Sequence, residues 1–142
     1  MSDVPVTTDL TFALDWRHGL GARGAFFAAV AAGRLIGARC PACGATVVPP
    51  RARCGNDATL MVPVDLPPAG KIRQLTLGAP SALARGDAGC VFALVQVEGA
   101  DNSLLTRITG AAAVGARVTL APATGEVIHP AQHLVFAVTP AH

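Results

Sequence analysis

The sequence predicts a mainly β protein: a short N-terminal helix, a small cysteine ribbon and a five-stranded barrel. Three observations carry that prediction. Cysteines at 40, 43 and 54 lie in two tight turns beside β-prone residues. The alanine-rich run 24–33 has helical spacing. Residues 70–139 break into short runs rich in Val, Leu, Ile and Thr, separated by Gly, Pro, Asp and Asn.

The chain has 142 residues, room for one ordinary domain or two very small ones. Leu, Ile, Val and Phe make up 38 residues, which places it well above the composition of disordered chains. The mean hydropathy of +0.47 owes much to alanine. The longest stretch without Asp, Glu, Lys or Arg, residues 127–142, is 16 residues long and broken by Pro130 and Pro140, so it is too short to span a bilayer. The first residues carry acids and a proline, unlike a secretory signal. The expectation is a cytoplasmic protein with no membrane contact. There, a Cys-x-x-Cys pair points to metal or redox chemistry rather than to a disulfide framework.

Residues 1–23, with the lone Trp16, read as a loosely ordered arm that docks on something. Within 24–33, Phe26 and Val30 are i,i+4 partners beside Phe27, and Gly33 is a natural C-terminal stop. The helix needs a surface to bury that face, on its own domain or on another subunit. Runs 34–39 and 45–48 then flank Cys40-Pro41-Ala42-Cys43-Gly44, a hairpin with a metal knuckle at its tip. A second turn, Cys54-Gly55-Asn56-Asp57, follows, and Gly44, Gly55 and Asn56 suit the positive φ of such turns.

Zinc takes four ligands in a tetrahedron, and two knuckles that each supply a pair provide it without a large core. The spacing is C-x2-C-x10-C-x2-D, so the expected ligands are Cys40, Cys43, Cys54 and Asp57. Two alternatives stand beside this set: a fourth ligand from elsewhere, such as His18 or His129, and a ribbon that keeps its shape without metal. A closed set has no open position, so the role is structural. An iron or redox site of the rubredoxin type lacks its fourth thiolate.

Charge is uneven along the chain. Residues 16–56 hold six arginines and no acid, whereas the remainder holds five basic and nine acidic residues. Arg39, Arg51 and Arg53 can offset the negative charge of a three-thiolate, one-carboxylate zinc site. Arg17, Arg23 and Arg34 have no such role and suit a ligand or partner.

The expected barrel strands are 71–77, 90–98, 103–109, 117–121 and 133–139. The apolar run 91–97 reads as a central strand buried on both faces. Residues 98–102 form a hairpin turn, and 109–115 has room for a helical turn. Five strands with a helical insert after the third follow the order of an OB-type barrel. Pro63, Pro67 and Pro68 mark a stiff connector between ribbon and barrel.

A ribbon beside an OB barrel raises nucleic acid as a ligand. Single-strand binders line a basic groove with aromatic platforms. This chain has one lysine, its barrel has only Phe92 and Phe136, and both read as core. Nucleic acid is therefore not the expected partner, and a nucleic-acid-binding ribbon/OB protein is kept as the alternative. Cys90 reads as a small buried hydrophobe, and His129 and His133 as edge or loop residues. No spacing supplies an activated nucleophile with its base, so no catalysis of its own is expected.

The order of motifs resembles a known family. A helix ending at Gly33 is followed by Leu35, Arg39, Cys40-x-x-Cys43-Gly44, Pro49-Pro50-Arg51 and the second knuckle. Then come Gly70-Lys71-Ile72 and Val114-Gly115-Ala116-Arg117-Val118. Over residues 24–139 this resembles the acyl-CoA-associated zinc-ribbon/OB-fold family, small accessory subunits of thiolase-like and acyl-CoA-processing enzymes. The resemblance implies an arm and docking helix (1–33), a rubredoxin-like zinc ribbon (34–62) and an OB-fold domain (63–142). It also implies a non-catalytic subunit in a hetro-oligomer that binds the CoA part of an acyl-CoA jointly with a thiolase-fold partner. Arg51, Arg53 and Arg73 are the candidates for the CoA phosphates. The departure is Asp57, where the family usually has its fourth cysteine.

Overall fold

A computed structural model describes residues 7–78 and 90–140. The start of the arm (1–6), the break after the first barrel strand (79–89) and the last two residues lie outside the described residues. Residues 7–20 have no regular secondary structure; a 3-10 turn, Gly21–Arg23, then leads into α1, Gly24–Ala31. The helix stops where expected. Gly33 takes φ +75°, its N–H bonds the Val30 carbonyl, and the Arg34 N–H bonds the Ala29 carbonyl. That is a Schellman stop, available because glycine has no Cβ to clash. Phe26 and Val30 are buried within this chain, where α1 packs against β1 (Leu35–Arg39).

The ribbon is a three-stranded antiparallel sheet in the order β2 (Thr46–Val47), β1, β3 (Val62–Leu66). The third strand corrects the sequence reading, in which prolines 63, 67 and 68 made this stretch a connector. Pro63 cannot donate to a ladder, but β3 is an edge strand, where a missing N–H is tolerated. All five of its residues pair with β1, from Leu66 opposite Leu35 to Val62 opposite Arg39. Gly37, in the central strand β1, has no room for a side chain: a Cβ there would sit 2.7 Å from Leu66 Cδ1 and 2.8 Å from the Val47 carbonyl oxygen.

The barrel consists of β4 (Ala69–Leu77), β5 (Val91–Val97), β6 (Ser103–Thr109), β7 (Arg117–Ala121) and β8 (Val135–Val138). It is closed in the order β4-β5-β6-β8-β7, with β6 parallel to β8 and β4 antiparallel to β7. This is the OB arrangement the sequence predicts. Closure needs Gly70: a Cβ there would run into the Gln96 carbonyl and lie 2.7 Å from Val95 Cγ1.

Three details differ from expectation. Residues 109–115 form no helix; Gly110 and Gly115 both have positive φ and turn the chain instead. A single 3-10 turn, Pro130–His133, occurs later, capped by His129 and Gln132. Strand β5 buries Ala93, Val95 and Val97 but leaves Phe92 and Leu94 only half-buried. Phe92 is thus on the outer barrel face, not in the core, while Phe136 is fully buried as expected. Cys90, just before β5, is half-buried rather than buried.

Ribbon and barrel share one hydrophobic core. Phe26, Val30, Leu35, Val48 and Leu66 from the ribbon side join Ile72, Val95, Val97, Leu104, Ile108, Val118 and Phe136 of the barrel. The β5–β6 turn also clamps the outer edge of β2. Asp101 accepts from the Thr46 N–H at 2.7 Å and returns its own N–H to the Thr46 carbonyl at 2.8 Å. Asn102 accepts from the Val48 N–H at 2.9 Å and donates to the Val48 carbonyl at 2.7 Å. These two side chains pair with β2 as a further strand would. Asn102→Ala strands both backbone groups of buried Val48 and is expected to cost about 1–3 kcal/mol in chemical denaturation. A loss below about 0.5 kcal/mol would mean that water replaces the clamp without penalty.

Candidate metal centre

The two knuckles are near copies of one another. Ala38-Arg39-Cys40-x-x-Cys43-Gly44 aligns with Ala52-Arg53-Cys54-x-x-Asp57-Ala58. The Gly44 N–H bonds the Cys40 carbonyl at 2.9 Å, and the Ala58 N–H bonds the Cys54 carbonyl at 3.0 Å. The Cys40 N–H bonds the Ala45 carbonyl at 2.8 Å, and the Cys54 N–H bonds that of Thr59 at 2.9 Å. In each knuckle the first cysteine sulfur also accepts a backbone N–H, from Cys43 at 3.5 Å and from Asn56 at 3.4 Å. Asp57 therefore stands in the place of Cys43.

The repeat also corrects the turn chemistry. Positive φ falls on Gly44 (+78°) and on Ala58 (+59°), not on Gly55 or Asn56. The fifth position of each knuckle must adopt the left-handed conformation, and the second knuckle does so with an alanine. The aligned Ala-Arg-Cys repeat was the sequence signal for this.

Cys40, Cys43, Cys54 and Asp57 form one group whose ligand atoms all lie within 4.8 Å of one another. Cys43 Sγ is 3.6 Å from Cys54 Sγ, and Cys40 Sγ is 3.5 Å from an Asp57 oxygen. Zinc–sulfur bonds of about 2.3 Å in a tetrahedron place sulfurs about 3.8 Å apart, so this donor set fits zinc. The Thr59 N–H, 2.9 Å from Asp57 Oδ1, together with the Thr59 hydroxyl, holds the carboxyl below its usual range. The Ala45 amide and the neighbouring thiol lower Cys43. At Cys54 the Asn56 N–H pulls down, but burial and the Cys43 thiol push the pKa above its ordinary value. Two thiols this close compete for ionisation, and a cation between them favours both thiolates.

The histidines weighed as a fourth ligand are not in this group. His18 and His129 lie beside one another, with ring centroids 6.3 Å apart, near Phe27.

Residues 27–59 match the family model of the ChsH2 rubredoxin-like zinc ribbon domain. The chain is similar in structure to a protein of unknown function from the DUF35 family of Sulfolobus solfataricus. That match has TM-score 0.61 and 20% identity, covering 84% of this chain and 87% of the other. It is likewise similar to a chain of the Ltp2-ChsH2(DUF35) aldolase, with TM-score 0.61 and 22% identity, over 86% of this chain and 98% of that one. No curated protein matches. These likenesses bear out the zinc-ribbon/OB fold that the sequence motifs suggested.

The fold also places the arginines. Arg53 donates to the Ala58 carbonyl at 3.0 Å, bracing the second knuckle. Arg34, expected to be available for a ligand, pairs with Asp65 of β3 at 2.6 Å. Arg51 is exposed just before the second knuckle, and Arg73 is exposed at a bulge in β4. Arg51 and Arg53 lie two residues apart at the start of the second knuckle and Arg73 lies on β4 of the barrel, whereas the four metal candidates converge.

Two outcomes follow. Asp57→Ala should weaken zinc binding by more than the roughly 10–100-fold typical of losing an outer-shell partner, and Asp57→Cys should tighten it, as read by chelator competition. Unchanged zinc content in the alanine variant would remove Asp57 from the ligand set. Ala58→Gly should stabilise the protein by about 1 kcal/mol in denaturant, since glycine adopts that φ without a Cβ clash. A destabilised glycine variant would contradict the knuckle geometry.

Proposed function

We propose that this chain is a non-catalytic accessory subunit that binds the CoA part of an acyl-CoA jointly with a thiolase-like enzyme. The observation that carries the reading is the structural match over 98% of a chain of the Ltp2-ChsH2(DUF35) aldolase. A structural zinc held by Cys40, Cys43, Cys54 and Asp57 fits the reading, because a closed ligand set leaves no position for a substrate. Zinc then fixes the two knuckles, and the chain's own residues supply surface rather than chemistry. Exposed Arg51, Arg53 and Arg73 offer guanidinium groups suited to the CoA phosphates.

The alternative, nucleic acid, gains little from the fold. Phe92 does lie on the outer barrel face, but it has no second phenylalanine, tyrosine or tryptophan in the barrel to form a platform with it, since Phe136 is buried. Among the described residues no helix is long and apolar enough to cross a membrane.

The reading is tested by co-expressing the tagged chain with a thiolase-fold acyl-CoA enzyme of the same organism. The expected result is a complex that binds CoA thioesters, with affinity lowered roughly tenfold in Arg51→Ala/Arg73→Ala. A chain that purifies alone, ignores CoA thioesters and binds an oligonucleotide with a steep salt slope would overturn it.

A further inference from the structure

The three sulfurs of the metal centre are not equally placed. Cys40 and Cys54 are buried, whereas Cys43 is exposed. Its neighbours at the knuckle tips, Pro41, Ala42, Gly55 and Asn56, are exposed as well, so small solutes reach this sulfur from solvent. The four groups also divide into two pairs. Cys43 Sγ faces Cys54 Sγ at 3.6 Å, and Cys40 Sγ faces the Asp57 carboxylate at 3.5 and 3.6 Å. The Asn56 side-chain amide donates to Cys43 Sγ at 3.7 Å and its backbone N–H to Cys54 Sγ at 3.4 Å, so one residue holds both sulfurs of the first pair.

The two pairs differ in chemistry. An accessible thiolate is a nucleophile toward peroxides, and a second sulfur within reach turns the first product into a disulfide before it oxidises further. A disulfide bond is about 2.0 Å long, so the Cys43 and Cys54 sulfurs have to close by roughly 1.6 Å. The second pair has no such outlet, because Asp57 brings oxygen where a fourth cysteine would bring sulfur.

We propose that Cys43 and Cys54 are a peroxide-sensitive thiol pair, joined as a disulfide by hydrogen peroxide with release of the zinc. The Cys43 thiolate attacks one peroxide oxygen: an S–O bond forms, the O–O bond breaks and hydroxide leaves. The Cys54 thiolate then attacks the Cys43 sulfur: the S–S bond forms, the S–O bond breaks and a second hydroxide leaves. Two thiolates give two electrons to one peroxide, and two protons from solvent turn the hydroxides into water. Cys40 and Asp57 are then the remaining ligands. With a fourth cysteine two thiolates would remain, but C-x2-C-x10-C-x2-D leaves one sulfur and one hard oxygen, too weak a pair to keep the metal. The inference rests on the zinc ligand set and is independent of the accessory-subunit reading.

The test exposes the full zinc-loaded chain to hydrogen peroxide beside a colorimetric zinc indicator. Trypsin cuts after Arg39, Arg51, Arg53 and Lys71, which puts Cys40 and Cys43 on peptide 40–51 and Cys54 on peptide 54–71. Thiols are counted on these peptides, so Cys90 does not enter the count. The expected result is two thiols lost per zinc released, a cross-link between the two peptides that fragmentation assigns to Cys43, and recovery of both thiols and of zinc uptake after dithiothreitol. Early in the reaction dimedone should label Cys43 rather than Cys40 or Cys54. A disulfide through Cys40, or sulfinic acid on Cys43 with no cross-link, would overturn the pairing. Zinc retained with all three thiols intact, under peroxide that oxidises the denatured chain, would overturn the sensitivity. A chain that binds no zinc would overturn the ligand set and this inference with it, and would leave the accessory-subunit reading untouched.

Discussion

Three sulfurs and a carboxylate held within 4.8 Å of one another cannot all ionise without a cation among them. That electrostatic constraint governs the ribbon. Its two knuckles bury little apolar surface, and their backbone hydrogen bonds determine where the ligand atoms point rather than drawing them together. A dication turns four mutually repelling groups into one site with a residual charge of −2, which Arg53, bonded across the second knuckle, is placed to offset. The substitution of Asp57 for a fourth thiolate then has a physical meaning. An oxygen ligand is harder than sulfur, and this one is held in place by the Thr59 N–H.

From the knuckles outward, the ribbon is tied to the barrel in three ways. Leu35, Val48 and Leu66 enter the same core as Val95 and Phe136. Asp101 and Asn102 complete the outer edge of β2. Strand β3 leads through Pro67 and Pro68 directly into β4. The small size that makes each part marginal alone is offset by this sharing. The ribbon is therefore rigid relative to the barrel, and the arm that precedes it leaves the body at a fixed place.

Much of this was legible in the sequence, and the misses share a cause. The helix and its stop at Gly33, the clustering of Cys40, Cys43, Cys54 and Asp57, and the five barrel strands follow from local signals: spacing, turn residues and β-branched runs. Strand β3 was hidden because proline reads as a breaker until one knows that the strand is at an edge. The helical turn expected at 109–115 rested on alanines, and two glycines in left-handed geometry overrode them. Phe92 was misplaced because an unbroken apolar run conceals which side faces inward. The Arg34–Asp65 pair and the Asn102 clamp join residues about 30 and 54 positions apart, which no local pattern reports. Ala58 differs, since the Ala-Arg-Cys repeat that aligns it with Gly44 is in the sequence.

The same contrast separates the arm from the rest of the chain. Among the described residues the exposed large apolar groups are most concentrated between Leu10 and Trp16, where four of them alternate with polar or small residues. The ribbon is the rigid base from which that arm leaves the body. The ligand set on which that rigidity depends can be observed directly. X-ray absorption at the zinc edge should show three sulfurs at about 2.3 Å and one oxygen at about 2.0–2.2 Å. Four sulfurs, or a histidine signature in place of the oxygen, would contradict the account.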